Sequence, residues 1–418
     1  MFYSYLNFEN IRKFNFFLLC LLPIFTIFSV AAANFVLSFI GISFIFYFFV
    51  KKNFNIFYTY SKASWGWFFS YLIFCLYLII NPANFIFFNS ISFLKAVGFI
   101  RFPLFLLALY FWVIKDAKEI MKLVYIITAC VVFVAFDVIF QKFFGNDIFG
   151  FLPGQINTET NMYSRFGGPF NQFLVSGSYL FQSILVLTIL FFSNRMKHNI
   201  FRLLFSLLFF ATLISGERMS ALKLLLFIVL LNIFFIKKNV KYLNIIIIFF
   251  ILTFSVYQNN YLKNKYIVIT NNQIGNPNLL KQKSQHYAHY YTAFKIFEDN
   301  KLFGTGFRSF RVSCKQYQDL ENFFYEGCNT HPHNFALEIL AEQGLVGFLI
   351  FLSFICLFFK RFFRSNKVLL LYCSCYFIPF LPSGSYFASW DNINFWFYLS
   401  LYLGFDRFKL LKIKNEQY

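Results

Sequence analysis

Four of the chain's five histidines fall within one stretch, at His286, His289, His331 and His333. The same stretch holds Arg308, Arg311, Cys314 and Cys328, and Asn334 directly follows the last histidine. A neutral imidazole near pH 7 takes a proton from a hydroxyl, so such a His is a candidate general base. A guanidinium fork matches the oxygens of a phosphate. A second short piece, Ser215-Gly216-Glu217-Arg218, sets a guanidinium on a tight turn, with Lys223 farther along the next apolar run. Each of these residues also has an ordinary use. An Arg at a membrane surface is often an anchor, and a His ahead of a helix caps it or bonds to backbone. His286 and His289 share one face of a helical pattern and suit any wet surface.

The elements that must position these residues are membrane spans. The chain has 418 residues, 59% hydrophobic and 13% charged, with a mean hydropathy of +0.62. A soluble domain carries about 25% charged residues. Phe alone occupies 71 positions, more apolar surface than a soluble fold of this length would bury. The net charge of +20 does not indicate nucleic acid, because the positive residues sit between apolar runs and form no patch or arm. Phe, Lys, Asn and Ile are all abundant, as codon bias in an AT-rich genome would also produce.

Apolar runs of membrane length fall at 14–30, 33–50, 65–80, 91–114, 121–140, 173–192, 200–214, 221–236, 242–257, 345–359, 368–381 and 392–405. The expected fold is therefore all-α and polytopic, about twelve transmembrane helices in one integral membrane domain over 1–418. Alternate connections carry the positive charge: Arg12 and Lys13; Lys51, Lys52 and Lys62; Lys115, Lys118 and Lys122; Arg195, Lys197 and Arg202; Lys237, Lys238 and Lys241; Lys360, Arg361, Arg364 and Lys367; Arg407, Lys409, Lys412 and Lys414. The short segments on the opposite side hold only Lys142, Arg165 and Arg218. Positive charge stays in the cytoplasm, which places both termini there. Arg12, Lys13, an apolar run and Ala31–Ala33 also read as a cleavable signal. The length of the run and the span directly after it favour an uncleaved helix.

Cytoplasmic connections are too short for a nucleotide-binding domain, and no P-loop or Rossmann glycine pattern occurs. The polar mass lies outside, in a first loop at 141–172 and a large loop at 257–344. Within the large loop, residues 284–299 repeat Tyr287, Tyr290, Tyr291, Phe294 and Phe297 at helical spacing. This predicts a helix whose aromatic face lies on the membrane or packs on other spans. Gly304 and Gly306 interrupt the chain, and a second helical stretch is expected near Ser309. A third is expected from Thr330, as N-cap, through Pro332 to a terminal glycine at Gly344. Six of the eight Cys lie in apolar spans, and Cys314 and Cys328 share the large loop. An oxidising periplasm permits a bridge between them. The alternatives are two free thiols, or a zinc site with His331 and His333, whose spacing matches no standard zinc pattern.

These pieces, in this order, resemble the O-antigen ligase and polymerase family. The family's signature is an amphipathic helix, a Gly-x-Gly turn, and a His-Asn pair opening a helix that ends in Glu-x-Gly-x-x-Gly. Here these stand at 286–299, Gly304 and Gly306, His333 and Asn334, and Glu342, Gly344 and Gly347. Residues 137–150 and 165–180 resemble its first outer loop, and Ser215–Arg218 its short outer turn. The likeness spans about 137–404. In one place it departs: the family carries an Arg near the start of the loop helix, where this chain has Gln285 and His286. Arg308 and Arg311 are the cations left to supply that contact.

The resemblance implies a bacterial inner-membrane glycosyltransferase working on the periplasmic side without metal or other cofactor. Its donor would be an undecaprenyl-pyrophosphate-linked glycan. Its acceptor would be lipid A core for a ligase in lipopolysaccharide biosynthesis, or another lipid-linked unit for a polymerase. Membrane lipids are implied as surroundings, and nucleic acid is not a partner. Arg218, Arg308, Arg311 and Lys223 would hold the pyrophosphate, and His333, with His331, would serve the acceptor hydroxyl. Arg101, deep in the fourth apolar run, would either join the pyrophosphate contacts or pair with Asp137. A reading from another class is a lipid-linked oligosaccharide flippase. The lack of visible repeat symmetry and the concentration of polar residues in one outer loop count against it.

Overall fold

The computed structural model describes residues 7–51, 65–86, 89–157, 162–171, 173–235, 250–252, 260–268, 271, 285–317 and 327–415. The expected span 242–257, apart from 250–252, lies outside the described residues. So do Lys52, Lys62, Lys237, Lys238 and Lys241 and most of loop segment 257–284.

Helices make up the fold: α1 (Phe8–Phe28), α2 (Val30–Lys51), α3 (Gly66–Ile80), α4 (Asn89–Phe99), α5 (Arg101–Ala108) and α6 (Ala117–Phe144) come first. After an antiparallel hairpin of β1 (Gly154–Asn157) and β2 (Met162–Arg165) come α7 (Ser176–Phe192), α8 (His198–Ile214) and α9 (Arg218–Phe235). The loop helices α10 (Gln285–Asp299) and α11 (Phe310–Ser313) lead to α12 (Phe335–Ser365), α13 (Lys367–Tyr376) and α14 (Ser389–Asn415). Each expected span other than 242–257 overlaps a helix, and 91–114 takes in two, α4 and α5. Seven helical segments are long and apolar enough to cross a membrane, and three more are apolar but shorter.

The helices are apolar nearly all round; most leave one side exposed, while α7 is buried along almost its whole length. Leu19, Leu37, Tyr71, Phe105, Ile127, Leu185 and Trp396 belong to one continuous core, while Phe35, Ile42 and Ile80 stay largely exposed. Helix ends follow local chemistry. Asp116 caps α6 by accepting the Glu119 N–H at 2.8 Å, and Gly145 ends it at φ +85°.

At the end carrying α10, here called the outer end from the charge pattern, a second small core forms. Ala293 and Ile296 of α10 pack with Phe310 and Cys314 of the α11 region and Ala341 of α12. This cluster fixes the loop helix to the bundle. The buried side of α10 is Ala288, His289, Thr292, Ala293 and Ile296. Its aromatic residues are half-buried or exposed, so they face the surroundings and do not pack between spans.

Two expectations need correction. The third loop helix does not begin at Thr330. His333 stands in the left-handed region at φ +56°, and Asn334, extended at φ −150°, caps a helix that starts at Phe335. Its side chain accepts the N–H groups of Ala336 and Leu337, a better cap than Thr330 because it directly precedes the helical residues. The expected span 368–381 is helical only over Lys367–Tyr376. That is about 15 Å of helix against a hydrocarbon core of about 30 Å. Pro379 and Pro382 stop it, and residues 377–388 run on as irregular chain beneath the outer loop.

Candidate active site

Three supports hold the outer loop. The first is the Gly304-Thr305-Gly306 turn, which lies directly on the break in α12. Gly304 (φ +68°) and Gly344 (φ +65°) each approach backbone so closely that a Cβ would fall within 2.4 Å of a carbonyl carbon or nearer. Thr305 and Gly306 donate their N–H groups to Ala341 and Glu342 carbonyls at 3.1 and 2.8 Å. The Glu342 carboxylate accepts the N–H of Arg308 at 2.6 Å and of Phe310 at 3.0 Å. It thereby holds Arg308 in a left-handed conformation, φ +55°.

The second support is the irregular chain 377–388. Ser383 donates its N–H to the His333 carbonyl at 2.9 Å, and Asn334 Nδ2 donates to the Pro379 carbonyl at 2.7 Å. Glu338 accepts from the Ser385 hydroxyl at 2.5 Å and the Tyr386 N–H at 2.7 Å. The third is a disulfide: Cys314 and Cys328 are joined, with Cα atoms 5.0 Å apart. Free thiols and a cysteine–zinc site are therefore not what this structure contains.

On these supports the imidazoles gather. His333 is the hub, its ring centroid 4.1 Å from His331, 5.4 Å from His286 and 5.4 Å from His289. Burial, then the neighbouring His and Arg charges, push His286 and His331 down to about 4 and His333 to about 3. His289, fully buried, is also lowered by burial. All four are neutral at ordinary pH. The buried nitrogens His286 Nδ1 and His331 Nε2 have no hydrogen-bond partner among the described residues.

Arginines surround this cluster. Arg308 and Arg311 lie within electrostatic reach of His331, and Arg165 and Arg218 within reach of His286. Local bonds explain the last pair. Phe166 donates its N–H to the Ser215 carbonyl at 3.2 Å, bringing the end of β2 against the Ser215–Arg218 turn. Glu217 accepts the N–H of Gly177 at 2.7 Å and of Ser178 at 3.1 Å, which pins that turn to the start of α7. The Nε atoms of Arg165, Arg308 and Arg311 are buried without a hydrogen-bond partner among the described residues.

Two sequence candidates are placed differently. Arg101 does not pair with Asp137. It donates to the Gly98 carbonyl at 2.9 Å, Asn34 Oδ1 at 2.9 Å and Ser389 Oγ at 3.0 Å, while Asp137 accepts the Ile148 N–H at 2.8 Å. Arg101 is nonetheless within electrostatic reach of Arg308. Lys223 has other partners: its Nζ is 3.4 Å from the Tyr376 carbonyl and within electrostatic reach of half-buried Asp391. Arg165, which joins this cluster, is a residue that sequence reasoning did not nominate for the site. Arg165 had one signal, as a rare basic residue on the poorly charged side of the alternation.

The fold and this site define a polytopic membrane protein with a cationic, imidazole-lined centre at one end of its helical bundle. Residues 203–352, which hold α9, the loop helices and the His331–Asn334 loop, match the O-antigen ligase family. The match covers about a third of the chain. No curated protein matches the chain.

Proposed function

We propose that the chain is an O-antigen ligase of the bacterial inner membrane, with twelve spans, both termini cytoplasmic and the site on the periplasmic face. It transfers a glycan from undecaprenyl pyrophosphate to a hydroxyl of lipid A core. The observation that carries this reading is the meeting of Arg218, Arg308 and Arg311 with four neutral imidazoles in the family-matched region, joined by Arg165 from outside it.

In the reaction, the acceptor oxygen bonds to the anomeric carbon and its proton passes to His333, with His331 beside it. The bond from that carbon to the pyrophosphate oxygen breaks, and its electron pair stays on the leaving pyrophosphate. Guanidinium groups stabilise the growing charge, a role otherwise given to a divalent metal. Arg101 stands behind Arg308 and adds to the positive potential. Lys223 is left out of the pyrophosphate contacts because it lies within electrostatic reach of Asp391.

A reconstituted assay with a lipid-pyrophosphate-linked donor, with chelator present, tests the chemistry. Transfer should continue under chelation, and complete loss would replace the arginine mechanism with a metal one. Movement of the donor across the bilayer without transfer would make the chain a flippase. Lipopolysaccharide banding of a deletion strain tests the acceptor. Unmodified core with accumulated lipid-linked polymer is expected, whereas core carrying single repeats would assign the chain as a polymerase. Reporter fusions at Lys62 and after Tyr418 should score cytoplasmic, and one at Asn276 periplasmic.

A further inference from the structure

One amide in the His loop is oriented unambiguously. Asn329 Oδ1 accepts the N–H of Thr330 at 2.7 Å, which settles which end of the amide is oxygen. Nδ2 is therefore the atom facing the rings, 3.4 Å from His289 Nε2 and 3.4 Å from His333 Nε2. An amide NH2 only donates, so both Nε2 atoms must accept, and each neutral ring must carry its hydrogen on Nδ1. His289 supports this independently. Its Nδ1 lies 3.2 Å from the Gly327 carbonyl, which only accepts. That carbonyl is held firmly, since Cys328 next to it is bridged to Cys314 and a Cβ at Gly327 would meet Thr292 Oγ1 at 2.3 Å.

We propose that Asn329, backed by His289, is a positioning residue that holds His333 as the Nδ1–H tautomer, leaving Nε2 as the atom that takes the acceptor's proton. This rests on the reading of His333 as the base. A protonated His333 would turn an N–H against the Asn329 NH2, donor against donor. The clamp therefore keeps the ring in its free-base form. The titratable groups facing His333 do the same: His286 and His289 from α10, His331 from its own loop and Arg165 from the hairpin. Tyr290 of α10 donates to its carbonyl and so touches only the backbone. The contacts at 3.4 Å are long, so an incoming hydroxyl can take the place of the amide at Nε2.

The experiment is nitrogen-15 spectroscopy of the full-length chain, labelled at His, in lipid nanodiscs. With five His in the chain, single His→Gln variants assign every ring. His289 and His333 should appear as Nδ1–H tautomers in the wild type, and His333 as the Nε2–H tautomer would overturn the clamp. This arm needs no Asn329 variant to fold. In the transfer assay, Asn329→Asp replaces a donor by a carboxylate that favours imidazolium. The acid limb of kcat/KM should rise by about 1–3 pH units, and an unmoved limb overturns the proposal. The two readings fail separately. Persistent transfer in His333→Ala removes the base assignment whatever the spectrum shows, whereas a wrong tautomer in an active wild type removes the clamp alone.

Discussion

Two groups of cations at opposite ends of the bundle are held in different ways. At the inner end, Arg12 bonds Glu9 and Glu119, both at 2.9 Å, and the Val113 carbonyl at 2.8 Å, while Lys115 meets Glu9 at 2.5 Å. At the outer end, Arg165, Arg308 and Arg311 form no salt bridge among the described residues. Carboxylates are close by. Yet Glu217, Glu338 and Glu342 use their oxygens on backbone N–H groups and hydroxyls. Arg12 and Lys115 are satisfied within the fold and serve stability. Arg165, Arg308 and Arg311 are half-buried with Nε atoms that have no hydrogen-bond partner among the described residues, and a buried polar atom left so costs free energy.

The sharpest test of this contrast is His333→Ala. It should lower transfer by about 10²–10⁴-fold, the usual worth of a positioned base, with membrane insertion unchanged. Near-normal turnover would take the ring out of the chemistry. Next come the arginines, compared across the two ends. Arg218→Lys keeps the charge but loses the fork, and Arg308→Gln loses both, so both should impair transfer with little change in melting temperature. Arg12→Gln should do the reverse, leaving turnover alone while costing about 1–3 kcal/mol through its abandoned partners. If Arg308→Gln melts earlier and still turns over, the contrast fails.

A smaller effect concerns pH. The unfolded chain's histidines take up protons near 6.5, whereas His286 and His331 do so in the fold only near 4. Between these values the unfolded state binds more protons, so stability should fall as pH drops through that window. Thermal unfolding from about pH 7 to about pH 5 should show the decline, and a His286→Gln, His331→Gln double variant should make it shallower, the rest being due to His289 and His333. A wild type with no slope would count against neutral imidazoles. The smallest effect on transfer is that of the Cys314–Cys328 bridge. Closing a loop of that length is worth about 3 kcal/mol on the chain-entropy model. Cys314→Ser with Cys328→Ser should loosen the outer loop and lower transfer modestly, and a loop equally resistant to protease would make the bridge dispensable.

Much of this was readable along the chain. The tyrosine and phenylalanine spacing of 284–299 marks α10 to within a residue, and Gly344 ends its helix where expected. Arg218, Arg308, Arg311, His331 and His333 could be nominated because their types are rare amid apolar residues. The start of α12 was misplaced, because Thr330 and Asn334 are both acceptable caps. The choice between them depends on Asn334 also reaching the Pro379 carbonyl, far away in the chain.

Hydropathy, charge alternation and helical periodicity are local sums, so the sequence by itself determined the membrane class and nominated the segment for the chemistry. Convergence is not local. Tertiary structure alone decided that Arg165 joins Arg218, that His289 is buried against Asn329, and that Lys223 comes within electrostatic reach of Asp391. It also decided that Arg101 and Asp137 find other partners. Each depends on where segments tens to hundreds of residues apart come to rest, and on a few bonds of about 3 Å that no spacing along the chain encodes.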